Sequence, residues 1–231
     1  MNTRGWLFAA VIAASACAPL GGSGRARVLP RGDNELTASA EAMLIAPEFN
    51  SDNIVVPWAQ FGIGYHRGLS ERFEAGARAW GLSFKQFEFQ TGGAALDSKF
   101  QLAFQERDRA AIDIALAPSV GYHRVALGGT PEHMMQVSLP LLMGVAVGQR
   151  HHFIVAPRVT VQRWWGQSQY AQTFVLGGVS VGIALRVGKR WVLHPEATFM
   201  WSPVPFGGED PATTRRGLSL LSLGFGTGLL F

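Results

Sequence analysis

From about residue 34 to the C-terminus, apolar residues recur at every second position in segments of about ten residues, separated by polar or glycine-rich turns. In residues 112–122, Ile112, Ile114, Leu116, Pro118, Val120 and Tyr122 share one face, and Asp113, Ala115, Ala117, Ser119 and Gly121 share the other. A slip of one residue would carry Asp113 to the apolar face, so register is strongly specified. The same division runs through 137–147, 153–161, 175–187 and 191–201, and more weakly through 35–45, 57–65, 73–81 and 96–104. Beyond its N-terminal stretch the chain nowhere offers the ~18 consecutive apolar residues of a spanning helix.

With the terminal segment these make about ten strands. At 48% hydrophobic and 16% charged residues, the chain carries less charge than the roughly 25% of an average soluble domain. Alternation accounts for the deficit: each strand gives one face to lipid, and the charges gather in turns, loops and a shared interior. The fold expected is all-β, a transmembrane antiparallel up-and-down β-barrel of about ten strands, with eight or twelve compatible with the same pattern. A soluble barrel would reverse the faces, with charge outside and apolar residues within. Aromatic girdles are expected from Tyr65, Phe73, Phe104, Phe153, Trp191 and Phe231 at one rim and from Tyr122, Trp165 and Trp201 at the other. The single cysteine excludes a disulfide scaffold, and a net charge of only +4 spread over turns and interior is no nucleic-acid footprint.

Residues 1–16 read as a signal peptide, with Arg4 as the positive region and a following apolar stretch too short to span. Ala14-Ser15-Ala16-Cys17 resembles the lipobox of bacterial lipoproteins, which implies cleavage before Cys17 and its lipidation, palmitate being one acyl group to look for. The same alanines also satisfy ordinary signal cleavage at that bond. Ala18 stands where an Asp often retains lipoproteins in the inner membrane, so the resemblance implies outer-membrane sorting in a Gram-negative envelope. Residues 17–33 are then a lipidated N-terminus and flexible periplasmic tether of Gly, Ser, Pro and Arg, and residues 34–231 the barrel. Connections alternate between short (67–72, 105–110, 148–152, 188–190) and longer (46–56, 82–95, 123–135, 166–174, 202–216). Outer-membrane barrels have short periplasmic turns and longer extracellular loops, which puts both termini in the periplasm.

At the C-terminus, Leu221, Leu223, Phe225, Thr227, Leu229 and Phe231 alternate with Ser222, Gly224, Gly226, Gly228 and Leu230. This resembles the terminal β-signal of outer-membrane proteins, implying that Leu223, Phe225, Leu229 and Phe231 are read by the barrel-assembly machinery. The Tyr65-His66-Arg67-Gly68-Leu69-Ser70-Glu71-Arg72-Phe73-Glu74 hairpin is also similar to strand-turn-strand units of small bacterial outer-membrane barrels. The resemblance is to that class as a whole and to no one functional family within it.

Parity places Glu41, Glu74, Arg78, Asp97, Lys99, Asp113, Arg158, Arg186, His194 and Glu196 in a polar network inside the lumen. Unpaired charges there would cost several kcal/mol each, so ion pairs and hydrogen bonds are expected among them. Inward glycines at 62, 64, 76, 121, 144, 178, 182, 224, 226 and 228 either leave the lumen open or admit long side chains across it. An eight-stranded barrel is filled by its own side chains and sixteen or more strands are needed for a wide channel, so ten strands imply a mostly plugged interior.

The functional reading that follows is a non-enzymatic barrel with a structural or envelope-interaction role. A narrow, porin-like channel for ions or small polar solutes is the second reading, and an outer-rim lipid or peptide hydrolase the third. For the hydrolase, His123 is expected at the outer end of its strand near Glu132 and His133, with Ser168 and Ser202 on other outer loops, but no nucleophile motif accompanies them. His194-Pro195-Glu196 reads as an internal hydrogen-bonded pair, and His151-His152 offers only two ligands. No catalytic residue, metal or cofactor is assigned. Expected partners are outer-membrane lipids, the assembly machinery and lipopolysaccharide, whose phosphates Arg215 and Arg216 are placed to meet.

Overall fold

The computed structural model describes residues 25–47, 56–84, 89–105, 112–127, 130–147, 151–166, 172–202 and 218–231. Its strands are β1 (Asn34–Pro47), β2 (Val56–Ser70), β3 (Phe73–Phe84), β4 (Phe89–Ala103), β5 (Asp113–Leu116), β6 (Ser119–Leu127), β7 (Thr130–Val147), β8 (His151–Gly166), β9 (Gln172–Val187), β10 (Trp191–Ser202) and β11 (Leu218–Leu230). All neighbours are antiparallel and sequential, and β1 pairs with β11, so the sheet closes on itself with no edge.

The wall has ten strands, because β5 and β6 are two halves of one. Both lie between β4 and β7 in a single register, with Asp113 opposite Gly144 and Ser119 opposite Ser138. The break falls at Ala117-Pro118, where proline has no N–H to give to the ladder. The remaining groups still pair: Ala117 N–H donates to the Pro140 carbonyl at 3.0 Å and Ser98 N–H to the Pro118 carbonyl at 3.0 Å.

Parity is as the alternation implies. Ile63, Leu96 and Leu223 are 66%, 64% and 58% exposed on the outside, whereas Glu41, Asp113, Arg158 and Thr160 on the inside are buried. An exposed apolar belt running around the whole wall is a lipid-facing surface, far beyond the patches that a water-soluble monomer tolerates. Both ends of the barrel wall lie at one mouth, where Asn34 N–H donates to the Phe231 carbonyl (2.9 Å) and Phe231 N–H returns the bond (3.0 Å). Hereafter this is the terminal mouth, and the other the far mouth.

Three local expectations need correction. The connections expected at 82–95 and 123–135 are mostly strand, since β3 runs to Phe84, β4 starts at Phe89, β6 runs to Leu127 and β7 starts at Thr130. The hairpin ladders continue past the apolar segment, because backbone pairing does not depend on which residues face lipid. Phe104, expected in the girdle, is 5% exposed and has the Arg72 guanidinium 5.3 Å above its ring. It lies just past the end of β4, after a register shift between Gln101 and Ala103 that breaks the parity count. Phe73 is half-buried, its ring 4.7 Å from that of Phe100, and the remaining girdle residues Tyr65, Phe153, Trp191, Phe231, Tyr122, Trp165 and Trp201 are exposed as expected.

The third correction is the largest. Residues 25–33, read as part of a flexible tether, fold back into the terminal mouth, where Ala26, Val28 and Leu29 are buried. A turn reverses the chain into β1: Asp33 N–H donates to the Pro30 carbonyl at 3.1 Å, and Gly32 sits at φ +92°, the left-handed conformation that a type II turn requires at its third position. Composition suggested a tether, but the short run Ala26-Arg27-Val28-Leu29 has an apolar set to bury and a charge to pair, and the barrel mouth supplies both.

Candidate functional site: the occupied lumen

The segment crosses the terminal mouth from one wall to the other. Beside β2, the Gly68 backbone bonds the last two residues of the turn, donating to Asp33 O (3.0 Å) and accepting from Gly32 N–H (2.8 Å). Any side chain at Gly68 would run into the backbone of Leu29 and Pro30. Leu29 N–H donates to Glu74 on β3 (2.7 Å), and Val28 N–H to the Gln101 side chain on β4 (2.9 Å). Arg27 reaches Asp113 on β5 at 3.1 Å, and Ala26 packs against Gly144 on β7. Ala26 also belongs to a cluster with Ala115, Leu142, Ile154, Ala156, Ala184 and Val192. Arg25 turns back to Glu35 on β1 at 2.7 Å. Backbone amides that would be orphaned in an apolar mouth are therefore met by wall side chains.

The wall carboxylates are shared between plug and lumen. Glu74 accepts from Leu29 N–H and pairs with Lys99 at 3.2 Å, with Arg25 a further 3.9 Å away. Asp113, wholly buried, accepts from Arg27 and from the Gln105 amide (2.9 Å), with His152 at 3.7 Å. Deeper in, Arg78 grips Asp97 through two nitrogens, Nε at 2.7 Å and Nη2 at 2.9 Å, and His66 lies 3.6 Å from the same carboxylate. Across the lumen, Arg158 reaches Glu196 at 3.5 Å, and Glu196 also accepts from Thr198 (3.1 Å), which bonds Ser180 (2.7 Å). Glu41 accepts from Gln60 (3.0 Å) and from Ser222.

Of the ten residues assigned to the interior network, the structure bonds eight into it: Glu41, Glu74, Arg78, Asp97, Lys99, Asp113, Arg158 and Glu196. His194 is buried among them but does not form the hydrogen bond expected with Glu196. Arg186 is inward by parity but stands at the rim, exposed, donating to the Lys189 carbonyl in the β9–β10 turn at 3.0 Å. Its strand ends one residue later, so the guanidinium reaches water at no cost. His194 lines, with Ser180, Gly182 and Glu196, a cavity of about 10 Å³, room for one water. Neither ring nitrogen of His194 has a partner among the described residues, which is what such a water would satisfy.

Toward the far mouth the interior mixes large apolar side chains with the buried polar groups of Gln60, Thr91, His123, Glu132, Gln136 and Gln162. Trp80, Met134, Trp164, Phe174, Leu176, Met200 and Leu220 are all buried there, none of them expected from the reading of the interior as polar. A partial signal was present: Trp80, Trp164 and Met200 each fall on the inward parity of their own strands. The glycines explain how these side chains fit. Gly93, directly opposite Trp80, has the indole lying where its Cβ would be, and Gly121 adjoins the same ring. Gly178 opposes Met200, Gly76 opposes His66 and Gly64 opposes Arg78 in the same way. Small residues face large ones across each pair, so most of the inward glycines are filled rather than empty.

The residues considered for rim catalysis do not assemble. His123 is fully buried within the lumen, bonded to Thr91 and edge-on to Trp80, and Glu132 also points inward. His133 faces outward, 2.6 Å from the Tyr122 hydroxyl and stacked on Trp165, with the wall between it and His123. Ser202 is buried, and Ser168 lies outside the described residues, as do Cys17, Arg215 and Arg216. Neighbours in sequence, His151 and His152 project to opposite faces of β8; among the described residues no group of three or more His, Cys, Asp or Glu could hold a metal ion. Of the terminal motif, Leu223, Phe225 and Phe231 are exposed and Leu229 half-buried, on the strand that closes the barrel against β1.

No protein-family model and no curated protein sequence matches the chain. Among solved structures, the β domain of the Bordetella autotransporter BrkA aligns over 86% of this chain and 99% of its own length, at 11% identity and a TM-score of 0.50. The outer-membrane protease OmpT of Escherichia coli aligns over 90% and 99% (9% identity, TM-score 0.46), and Neisserial surface protein A over 86% and 99% (10%, 0.40). At such identities the likeness is one of fold. The fold is that of the small outer-membrane β-barrels, closed with ten strands.

Proposed function

We propose that the protein is a closed, non-enzymatic outer-membrane barrel with a structural or envelope-interaction role, inserted with both termini in the periplasm. The observation that carries this reading is the filling of the lumen from both ends: the folded-back residues 25–29 at the terminal mouth, and toward the other the buried Met134 and Trp164 with Trp80 and Met200, the last two seated against glycines. Between them the charges are joined in pairs, so a permeating ion would have to break buried salt bridges to pass. Planar-bilayer recording of the purified full chain tests it. No conductance above background is expected; reproducible unitary steps would overturn the closed reading in favour of the channel.

The lipid anchor at Cys17 fits the same placement. Seven residues lie between Cys17 and Arg25, and the eight Cα–Cα steps span at most about 29 Å, enough for an acyl chain to reach the leaflet around the terminal mouth. Radiolabelled palmitate on wild type and none on Cys17→Ser is the expected result; equal labelling, or none on either, would sink the anchor. Phe231 and its alternating partners are offered as the assembly signal, and lipopolysaccharide as the envelope partner at the far mouth.

A further inference from the structure

The outer surface of β6–β9 near the far mouth breaks the apolar belt. Val120, Val137, Val161 and Val175 stand directly opposite one another on adjacent strands and form one apolar row. The next outward row toward the far mouth replaces valine by Tyr122, Met135, Arg163 and Thr173, and the one beyond carries Arg124, His133 and Trp165. Two guanidinium groups thus leave the wall on the lipid side, one or two residue pairs above a row of valines. Arg163 donates to Thr173 at 2.9 Å, and Arg124 makes no ion pair among the described residues. Inside the barrel, by contrast, Arg78 and Arg158 are each matched to a carboxylate.

Arginine on a lipid-facing surface is destabilising by up to ~2–4 kcal/mol at the bilayer centre and only about 0–1 near the interface, which places these two at headgroup level, within reach of anionic groups. The ground between the cations is aromatic and pre-ordered. Tyr122 donates to or accepts from His133 Nδ1 at 2.6 Å, and the His133 and Trp165 rings are stacked at 6.0 Å with 17° between their planes. Tyr122 and Trp165 are 40% and 37% exposed, presenting a flat ring surface of the kind that packs against a sugar. Arg124 and Arg163 lie two strands and one outward row apart, roughly 12 Å by strand spacing and rise, flanking these rings. On the β4 side, the positions opposite Tyr122 and Arg124 are Ala94 and Gly92, leaving the wall bare of bulky side chains where an acyl chain would run.

We infer that this outward patch, Arg124, Arg163, Tyr122, His133 and Trp165, binds the phosphorylated saccharide headgroup of a glycolipid in the leaflet at the far mouth. The arginines take the phosphates in forked, charge-assisted hydrogen bonds, and the rings take the sugar face. This rests on the proposed orientation, which makes that leaflet the outer one, and it names the site of the envelope contact independently of the loop residues Arg215 and Arg216.

The test is lipid retention by the purified full-length barrel, read by native mass spectrometry with bisphosphorylated lipid A, fully dephosphorylated lipid A and phosphatidylglycerol as probes. Wild type is expected to retain bisphosphorylated lipid A about tenfold better than either other lipid, and about tenfold better than Arg124→Ala with Arg163→Ala. Heat-dependent gel mobility reports that the variant is folded; should it fail to fold, Trp165→Ala with His133→Ala takes its place with the same expectation. Equal retention of phosphatidylglycerol would reduce the patch to non-specific attraction, retention unchanged in both double variants would remove it, and displacement by millimolar inorganic phosphate would assign it to free phosphate. Each of these overturns the glycolipid site. Orientation is read separately: Gln90→Cys, near the far mouth, in a Cys17→Ser background should react with a membrane-impermeant maleimide on intact cells. Lipid A retention without surface labelling would refute the orientation and leave the binding chemistry standing.

Discussion

Replacing Asp113 by alanine should release the folded-back segment from the lumen. Asp113 is wholly buried and holds Arg27 at 3.1 Å, where two unit charges attract by about 5 kcal/mol at an effective dielectric of about 20. Removing one partner of a buried pair typically costs about 3–5 kcal/mol, but the Arg27 side chain is 32% exposed and water recovers part of that, so we take about 2–3 kcal/mol. The segment has little to spare. Ordering the backbone of five residues costs about 5–10 kcal/mol, against which stand the burial of Ala26, Val28 and Leu29 and their few hydrogen bonds. A loss of about 2–3 kcal/mol raises the released population about 30- to 140-fold. Trypsin cuts after arginine, so cleavage of the folded barrel at Arg25 and Arg27 measures that population directly. Wild type should be nicked slowly, Asp113→Ala faster by about that factor, and Ser138→Ala, whose hydroxyl bonds Thr160 elsewhere in the lumen, at the wild-type rate. Wild-type nicking as fast as that of the unfolded chain, or no change in Asp113→Ala, would refute the reasoning.

Other outcomes follow from the interior packing. Gly93→Leu puts a side chain where the Trp80 indole lies and should destabilise the barrel by about 1–3 kcal/mol or more, lowering the temperature at which its folded gel band is lost; Gly177→Leu, with open space around its Cβ position, should not. Arg78→Ala leaves the Asp97 carboxylate without its arginine, with only His66 nearby, and should cost about 3–5 kcal/mol in urea unfolding, while Arg78→Ala with Asp97→Ala should cost less than Arg78→Ala alone. A double variant worse than the single would show that the pair is not the source of the loss. Phe231→Ala keeps the backbone bonds to Asn34 and should lower the yield of assembled barrel in cells while leaving refolding from urea into detergent unchanged; a defect in both would mean that the aromatic acts in the folded barrel rather than in recognition.

Most of the wall could be read from the sequence because period two leaves one solution wherever one face meets lipid. Asp113, Arg158 and Glu196 each fix their strand's register, since a slip would put a charge into the bilayer. That argument loses force where both faces are protein or water. It failed at Phe104, beyond a register shift; at Arg186, where the strand ends; and at the loop ends of β3, β4, β6 and β7, where ladder hydrogen bonds continue without an apolar pattern. The interior network was legible as a set of inward residues, but its pairing was not. Which arginine meets which carboxylate depends on barrel stagger, and two of the cations, Arg25 and Arg27, come from a segment whose composition reads as linker. Inward Trp80 and Met200 were hidden for a related reason: a large residue inside is legible only with the glycine opposite, and Trp80 and Gly93 are brought together by strand pairing, not by sequence proximity.

The central claim, that the chain closes its own barrel with residues 25–29, is tested most directly by the accessibility of the segment. Ala26 is 1% exposed and packs so closely on Gly144 that a Cβ there would overlap its methyl group. In a Cys17→Ser background, Ala26→Cys should resist a bulky maleimide while the barrel is folded and react once it is unfolded. A thiol that reacts freely in the folded barrel would place the segment outside the lumen and contradict the account.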